Sequence, residues 1–153
     1  MKAEQFDSDI DFEACLEMGR KMHAAGEFSV MRYSEDKVAE LFIEAALGFP
    51  FFFVVVRDNG KAIAMMLAYA TEHFFSDDIY SDDLLVWVEK SHLRTGAGMA
   101  LLDAYREWAT KHNITLTMIG SSINVDQDAA MEFFCKGGFR MVGTNHIMTE
   151  RWR

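Results

Sequence analysis

The stretch of this chain richest in chemistry reads Leu84-Leu85-Val86-Trp87-Val88-Glu89-Lys90-Ser91-His92-Leu93-Arg94-Thr95-Gly96-Ala97-Gly98-Met99-Ala100-Leu101-Leu102. An apolar run feeds a loop with two glycines, and the loop opens a segment whose apolar residues recur at helical spacing. In such a turn the backbone N–H groups of residues 93 to 99 stand unpaired at the positive end of a helix dipole. Gly96 and Gly98 lack the side chains that would keep a ligand away from those groups. The chemistry that fits is the cradling of a phosphate or pyrophosphate, with Leu93, Ala97 and Met99 lending main-chain groups and Arg94 and Thr95 a charge and a hydroxyl. A tight strand-to-helix turn without a ligand uses the same glycines, and the loop alone does not choose between the two. Two rival nucleotide loops do not fit. A Walker loop needs Lys and then Ser or Thr after its last glycine, where this chain has Met99-Ala100, and a dinucleotide fingerprint needs glycine or alanine where Leu101 stands.

Other reactive side chains are scattered. His23, His73, His92, His112 and His146 show no metal-ligand spacing, so no metal is expected. His92 adjoins the glycine loop, either facing a ligand or as an ordinary exposed loop residue. Cys15 and Cys135 form no C-x-x-C pair and each sits in a helical apolar pattern, as buried thiols do. Asp82 and Asp83 precede the apolar run at the end of a segment, Glu72 to Asp83, that reads as a mobile acidic loop carrying the odd pair Phe74-Phe75.

The elements that position these groups follow from periodicity and turn chemistry. A short strand near Lys2 to Phe6 precedes an amphipathic helix over Asp9 to Ala24, with Phe12, Cys15, Leu16, Gly19 and Met22 on one face. Ser34 caps a second helix carrying Val38, Leu41, Phe42 and Ala45, which stops near Gly48 and Pro50. Phe51 to Arg57 and Lys61 to Tyr69 are two strands joined by the hairpin turn Asp58-Asn59-Gly60. Leu84 to Val88 is a strand covered on both faces. A helix over Gly98 to His112 and a strand over Ile114 to Ile119 follow. Asp126 to Lys136 is a helix with Ala129, Ala130, Phe133 and Phe134 inward, and Phe139 to Val142 and His146 to Trp152 are closing strands. The order β-α-α-β-β-β-α-β-α-β-β means one α/β domain spanning residues 1 to 153, a mixed sheet flanked by helices.

Composition sets the bounds. The chain has 153 residues, 50% of them apolar, enough for one sizeable core. Its net charge of -9 makes nucleic-acid and anionic-membrane partners unexpected. The longest apolar run, Ala45 to Val56, is too short and broken to span a bilayer of about 20 helical residues, and the opening residues lack the pattern of a secretory signal, so a cytoplasmic location is expected. The charge is uneven. Residues 1 to 83 hold seventeen acids and seven bases, whereas residues 84 to 153 hold seven acids and eight bases.

Val88, Gly96, Ala97, Gly98 and Ala100-Leu101-Leu102 match in spacing the coenzyme loop of the GNAT superfamily of N-acetyltransferases, and the chain resembles that superfamily beyond the loop. The hairpin from Phe51 to Tyr69 is similar to its second and third strands. Ala130, Phe133, Gly138 and Phe139 match its C-terminal pattern, with Gln127 at a place usually held by Asn. Two positions depart: Leu93, next to Arg94, stands where Arg or Gln is usual, and Phe134 stands where the family often has the tyrosine that protonates the leaving thiolate.

The resemblance implies direct acetyl transfer from acetyl-CoA to a primary amine. Pantetheine would lie along Trp87 and Val88, the pyrophosphate on residues 93 to 99, and the oxyanion against a backbone N–H near Val88. Gln127 and Phe134 would complete the donor site. The base would be Asp82 or Asp83, acting directly or through water, with Glu72 and His73 as weaker candidates; Cys135, Tyr80 or Tyr105 stand as substitutes for the missing acid. The acidic N-terminal half suits a cationic acceptor, or serves only solubility. A homodimer is a further expectation, and a degenerate coenzyme A-binding module is the alternative to an enzyme.

Overall fold

The computed structural model describes residues 1–120 and 126–149. Five strands form one sheet in the order β1 (Ala3–Gln5), β2 (Phe51–Asp58), β3 (Lys61–His73), β4 (Ser76–Val88) and β5 (Leu116–Thr117). Neighbours are antiparallel except β4 and β5, which run parallel. Helices α1 (Phe12–Ala25) and α2 (Glu35–Ala45) cover one face, and α3 (Ala97–Lys111) and α4 (Gln127–Lys136) serve the other. Among the described residues no helix is long and apolar enough to cross a membrane.

Period-two alternation divides β2 and β3 between two cores. Phe53, Val55, Met65 and Leu67 pack with Cys15, Leu16, Met18 and Phe42 under α1 and α2. Phe52, Val54, Val56, Ala64, Met66 and Ala68 pack with Leu101, Leu102 and Tyr105 under α3. Two-sided burial therefore belongs to β3, buried without a break from Ala62 to Ala68, rather than to Leu84 to Val88, where Leu84 is 50% exposed and only Leu85 is fully covered. The physical reason is position: β3 is central, whereas among the described residues β4 has an almost bare outer edge.

The N-terminal end of α1 is fixed by charge. Asp11 is fully buried and binds Arg57 of β2 twice, Oδ1 to Nε at 2.9 Å and Oδ2 to Nη2 at 2.5 Å, while Oδ2 also accepts the Asp7 N–H at 2.8 Å. Arg57 also binds Glu4 of β1. One guanidinium thus ties two strands to a helix. Ser34 caps α2 as its sequence predicts, its Oγ accepting the Lys37 N–H.

Further expectations are corrected. The segment from Glu72 to Asp83 is no acidic loop but the tip and outer arm of a long β3–β4 hairpin, with Phe74 and Phe75 exposed at its turn. Asp and Ser have low strand propensity, yet a ladder running from Tyr69–Asp82 to His73–Ser76 carries them into the sheet. Phe139 to Val142 forms no strand, nor do residues 146–149, and the rest of that predicted closing strand lies outside the described residues. Cys15 is buried but Cys135 is exposed, as is Ala129 on the outer side of α4.

Candidate functional site

The site begins where the sheet forks. β4 and β5 pair only at Tyr80–Leu116 and Ser81–Thr117, and the last main-chain bond between them is Met118 N–H to Ser81 O at 2.8 Å. From Asp82 onward, the outer edge of β4 has no partner strand among the described residues. Glu89 N–H donates to Ile63 O on β3 at 2.9 Å. By the alternation of an antiparallel ladder, Glu89 and Trp87 turn their main-chain groups to β3, while Val86 and Val88 turn theirs to the open edge. The Val88 N–H is therefore available there. Trp87 contributes its side chain to the α1/α2 face, where the indole Nε1 is buried without a partner among the described residues.

At the far end of that edge the chain makes a short 3-10 turn, Lys90–His92, and enters α3 through Gly96 in the left-handed region at φ 90°. Among the described residues no side chain caps the helix. The first bond of α3 runs from Ala100 N to Gly96 O, which leaves the N–H groups of Gly96, Ala97, Gly98 and Met99 without hydrogen-bond partners among the described residues. Four such donors at a helix N-terminus are the groups an anion would need. Gly96 has open space around its Cα, so its glycine is required by φ and not by crowding. Gly98 differs: a Cβ there would lie 2.9 Å from the Phe133 ring and 3.7 Å from Val88 Cγ2. Phe133 thus seats α4 against the start of α3, using the room that Gly98 leaves.

The remaining predicted residues divide. Leu93 and Arg94 are exposed on the rim. Arg94 lies near α4, where it adds slightly to the fall in the Glu132 carboxyl's pKa that Lys136 mainly causes. The Thr95 hydroxyl is already engaged, donating to His92 O at 2.7 Å. His92 Nε2 lies 3.2 Å from Asp58 Oδ2, and its Nδ1 lies 2.9 Å from Ser91 Oγ, so it braces the β2–β3 turn. Phe134 is half-buried with its ring 5.3 Å from that of Phe133. Gln127 stands exposed at the start of α4.

Asp82 and Asp83 are adjacent but face opposite ways. Asp82 opposes Tyr69, on the face where Tyr69 meets Phe51 at 4.9 Å, and partial burial raises its carboxyl above the ordinary value. Asp83 opposes Ala68 on the α3 face; burial, the larger cause, and the Asp82 charge push its carboxyl up to about 6, against hydrogen bonds including that from Gly120. Leu84 is an extra residue between the pairs Ala68–Asp83 and Leu67–Leu85, a bulge at the mouth of the fork. Tyr105 is fully buried, its hydroxyl 2.9 Å from Ser81 Oγ and 3.2 Å from Met118 O, and burial raises its pKa. That engaged phenol holds the fork together. Sequence reasoning missed the bulge, although Leu84-Leu85 breaks the alternation.

A sheet forked beside a helix whose first N–H groups are bare is the frame of a GNAT-type acyltransferase. The sequence model of the Acetyltransferase (GNAT) family matches residues 19–139, and the chain belongs to that family. Comparison with curated protein sequences gives no match. Solved structures with this fold include the aminoglycoside antibiotic 6'-N-acetyltransferase AAC(6')-IG from Acinetobacter haemolyticus, 14% identical over 98% of each chain with a TM-score of 0.73. Another is AAC(6')-Iy in complex with the bisubstrate analogue CoA-S-monomethyl-acetylneamine, 12% identical over 98% of this chain and 97% of that one, with a TM-score of 0.77. A transcriptional regulator from Bacillus halodurans C-125 shares the fold as well, at 14% identity over 97% of this chain and 98% of that one, with a TM-score of 0.75.

Proposed function

We propose that this protein is an N-acetyltransferase that moves an acetyl group from acetyl-CoA to a primary, cationic amine. The observation that carries the reading is the open β4 edge, with the Val88 N–H on it, leading straight to the four bare N–H groups of Gly96 to Met99. An elongated donor with a thioester at one end and a pyrophosphate further along fits those two features in order. The named acceptors of the aminoglycoside acetyltransferases of this fold are cationic amines, and residues 1 to 83 carry an excess of ten acids.

In this mechanism a neutral amine attacks the thioester carbon and the new N–C bond forms. The Val88 N–H meets the oxyanion, and the C–S bond breaks to release a thiolate. Asp82, on the Tyr69 and Phe51 face, takes the amine proton directly or through water; its raised carboxyl pKa makes it a better base than an ordinary aspartate. Because Phe134 has no proton to give, the leaving thiolate departs unassisted, which is tolerable for a thiol with a pKa of about 8.5. That same phenylalanine favours a second reading, a coenzyme A-binding module without turnover.

Calorimetric titration with acetyl-CoA, followed by thiol release on a panel of polyamines, amino acids, aminoglycosides and peptide amines, separates the readings. Binding with turnover on one amine is the expected result. Binding without turnover on every amine would support the second reading, and no binding would remove both.

A further inference from the structure

Among the described residues, the fork between β4 and β5 is spanned past its last main-chain bond by one side chain. Asp83 Oδ1 accepts the Gly120 N–H at 2.7 Å. Ser81 and Asp83 lie on the same face of β4, because Ser81 opposes Ala70 and Asp83 opposes Ala68. Below Asp83, Ser81 O holds the Met118 N–H at 2.8 Å, and the Tyr105 hydroxyl bridges Ser81 Oγ and Met118 O. Among the described residues, main-chain pairing of β4 and β5 therefore ends at Met118, yet the chain is held two residues further by a carboxylate. An N–H at the end of a strand pair has no sheet partner and needs another acceptor or water. Here the acceptor comes from the strand that forms the opposite wall of the cleft.

This geometry reassigns a residue that the sequence offered as a base. We propose that Asp83 is a positioning residue: its bond to Gly120 N–H fixes the β5-side wall of the cleft at the width that the acyl donor needs, and Asp82 alone of the pair is free for proton transfer. The inference rests on the donor site proposed above. Asp83 is half-buried on the α3 face beside the Tyr105 network, whereas Asp82 faces Tyr69 on the opposite side of the sheet. Asp82 also accepts the Asp83 N–H at 3.0 Å, which orders the carboxylate without covering it. A carboxyl oxygen accepts from Gly120 whether the group is ionised or protonated, so the pin does not depend on charge.

Two variants test this. Asp83→Asn keeps an oxygen that accepts the Gly120 N–H and removes the charge, whereas Asp83→Ala removes both. Three readouts are used: acetyl-CoA affinity by calorimetry, kcat on any productive amine, and hydrogen exchange of the Gly120 amide, with circular dichroism confirming that each variant is folded. A positioning role predicts that the Ala variant exchanges Gly120 N–H at least tenfold faster and binds acetyl-CoA about tenfold more weakly. The Asn variant stays within threefold of the wild type in exchange, affinity and kcat. Equal loss of affinity in both variants, or none in either, overturns the proposal. So does a hundredfold fall in kcat for the Asn variant with affinity unchanged, since that is the signature of a lost general base. If the wild type binds no acetyl-CoA, the donor-site reading itself fails. Gly120 exchange then still reports whether the pin exists, and an amide equally exchangeable in wild type and Ala variant removes it independently.

Discussion

Replacing Gly96 by glutamate tests the anion cradle most directly, and the structure separates its two effects. The first is backbone strain. Gly96 sits at φ 90° with nothing within 4 Å of the place a Cβ would take, so a side chain meets no clash but must hold an unfavourable left-handed conformation. That costs about 1–2 kcal/mol for a residue with a Cβ, or a fall in melting temperature on the order of 2–8 °C for a chain of this size. The second effect is charge. A carboxylate about 5 Å from a phosphate at an effective dielectric of about 20 is repelled by roughly 3 kcal/mol, which is more than a hundredfold in affinity. Gly96→Ala carries the strain without the charge. Calorimetric titration with coenzyme A, at matched fractions folded, is therefore expected to show the Ala variant within a few fold of wild type and the Glu variant at least a hundredfold weaker. Raising the salt concentration should recover part of the Glu loss. Equal affinity in the two variants would mean that no phosphate sits at the start of α3, and the reasoning from bare N–H groups would be wrong.

Four further outcomes follow from other contacts. Gly98→Ala places a methyl 2.9 Å from the Phe133 ring, so it should cost about 1–3 kcal/mol in chemical denaturation; adding Phe133→Leu should recover part of that, and strict additivity of the pair would refute the contact. Arg57→Met strands the fully buried Asp11 carboxylate and should destabilise by about 3–5 kcal/mol, read as a melting temperature lower by on the order of ten degrees; a change of a degree or two would contradict the buried pair. Because the Asp83 carboxyl is pushed up from 3.8 to about 6 in the fold, its ionisation opposes folding, so this contribution favours the fold below pH 3.8 and is lost as pH rises to 6. The stability of Asp83→Asn relative to wild type should thus grow across that window, and a flat difference would show an ordinary carboxylate. Phe134→Tyr supplies a hydroxyl where the sequence resemblance implies the family's acid and should raise kcat severalfold on a productive amine with acetyl-CoA KM unchanged; a fall in kcat would place Phe134 away from the sulfur.

The parts of the fold legible in the sequence are those governed by local rules. The Asp58-Asn59-Gly60 turn, the Ser34 cap and the apolar stripes of α1 to α3 depend on residues within a few positions of one another, and the structure shows them close to where spacing places them. The glycine loop is legible because a left-handed turn at Gly96 and the close approach of Phe133 to Gly98 each favour glycine within three positions. What escaped depends on distant partners. Residues 76 to 83 have the composition of a solvated loop and become strand because β3 offers them a ladder. The difference between Asp82 and Asp83 is invisible in sequence, since it arises from which side of the sheet each faces and from Gly120, thirty-seven positions away.

The bulge at Leu84 has a consequence for how such a chain can change over generations. By absorbing one residue of phase, it uncouples the outer arm of the β3–β4 hairpin from the inner stretch whose Val86 and Val88 main chains face the open edge. The arm can gain or lose residues in pairs and retain its inward and outward faces, while the inner stretch keeps its own register. A single-residue change in the arm would instead exchange the faces of Asp82 and Asp83. On the proposed function, the arm that carries Asp82 can therefore diversify in steps of two, and the stretch proposed to hold the donor does not have to change with it.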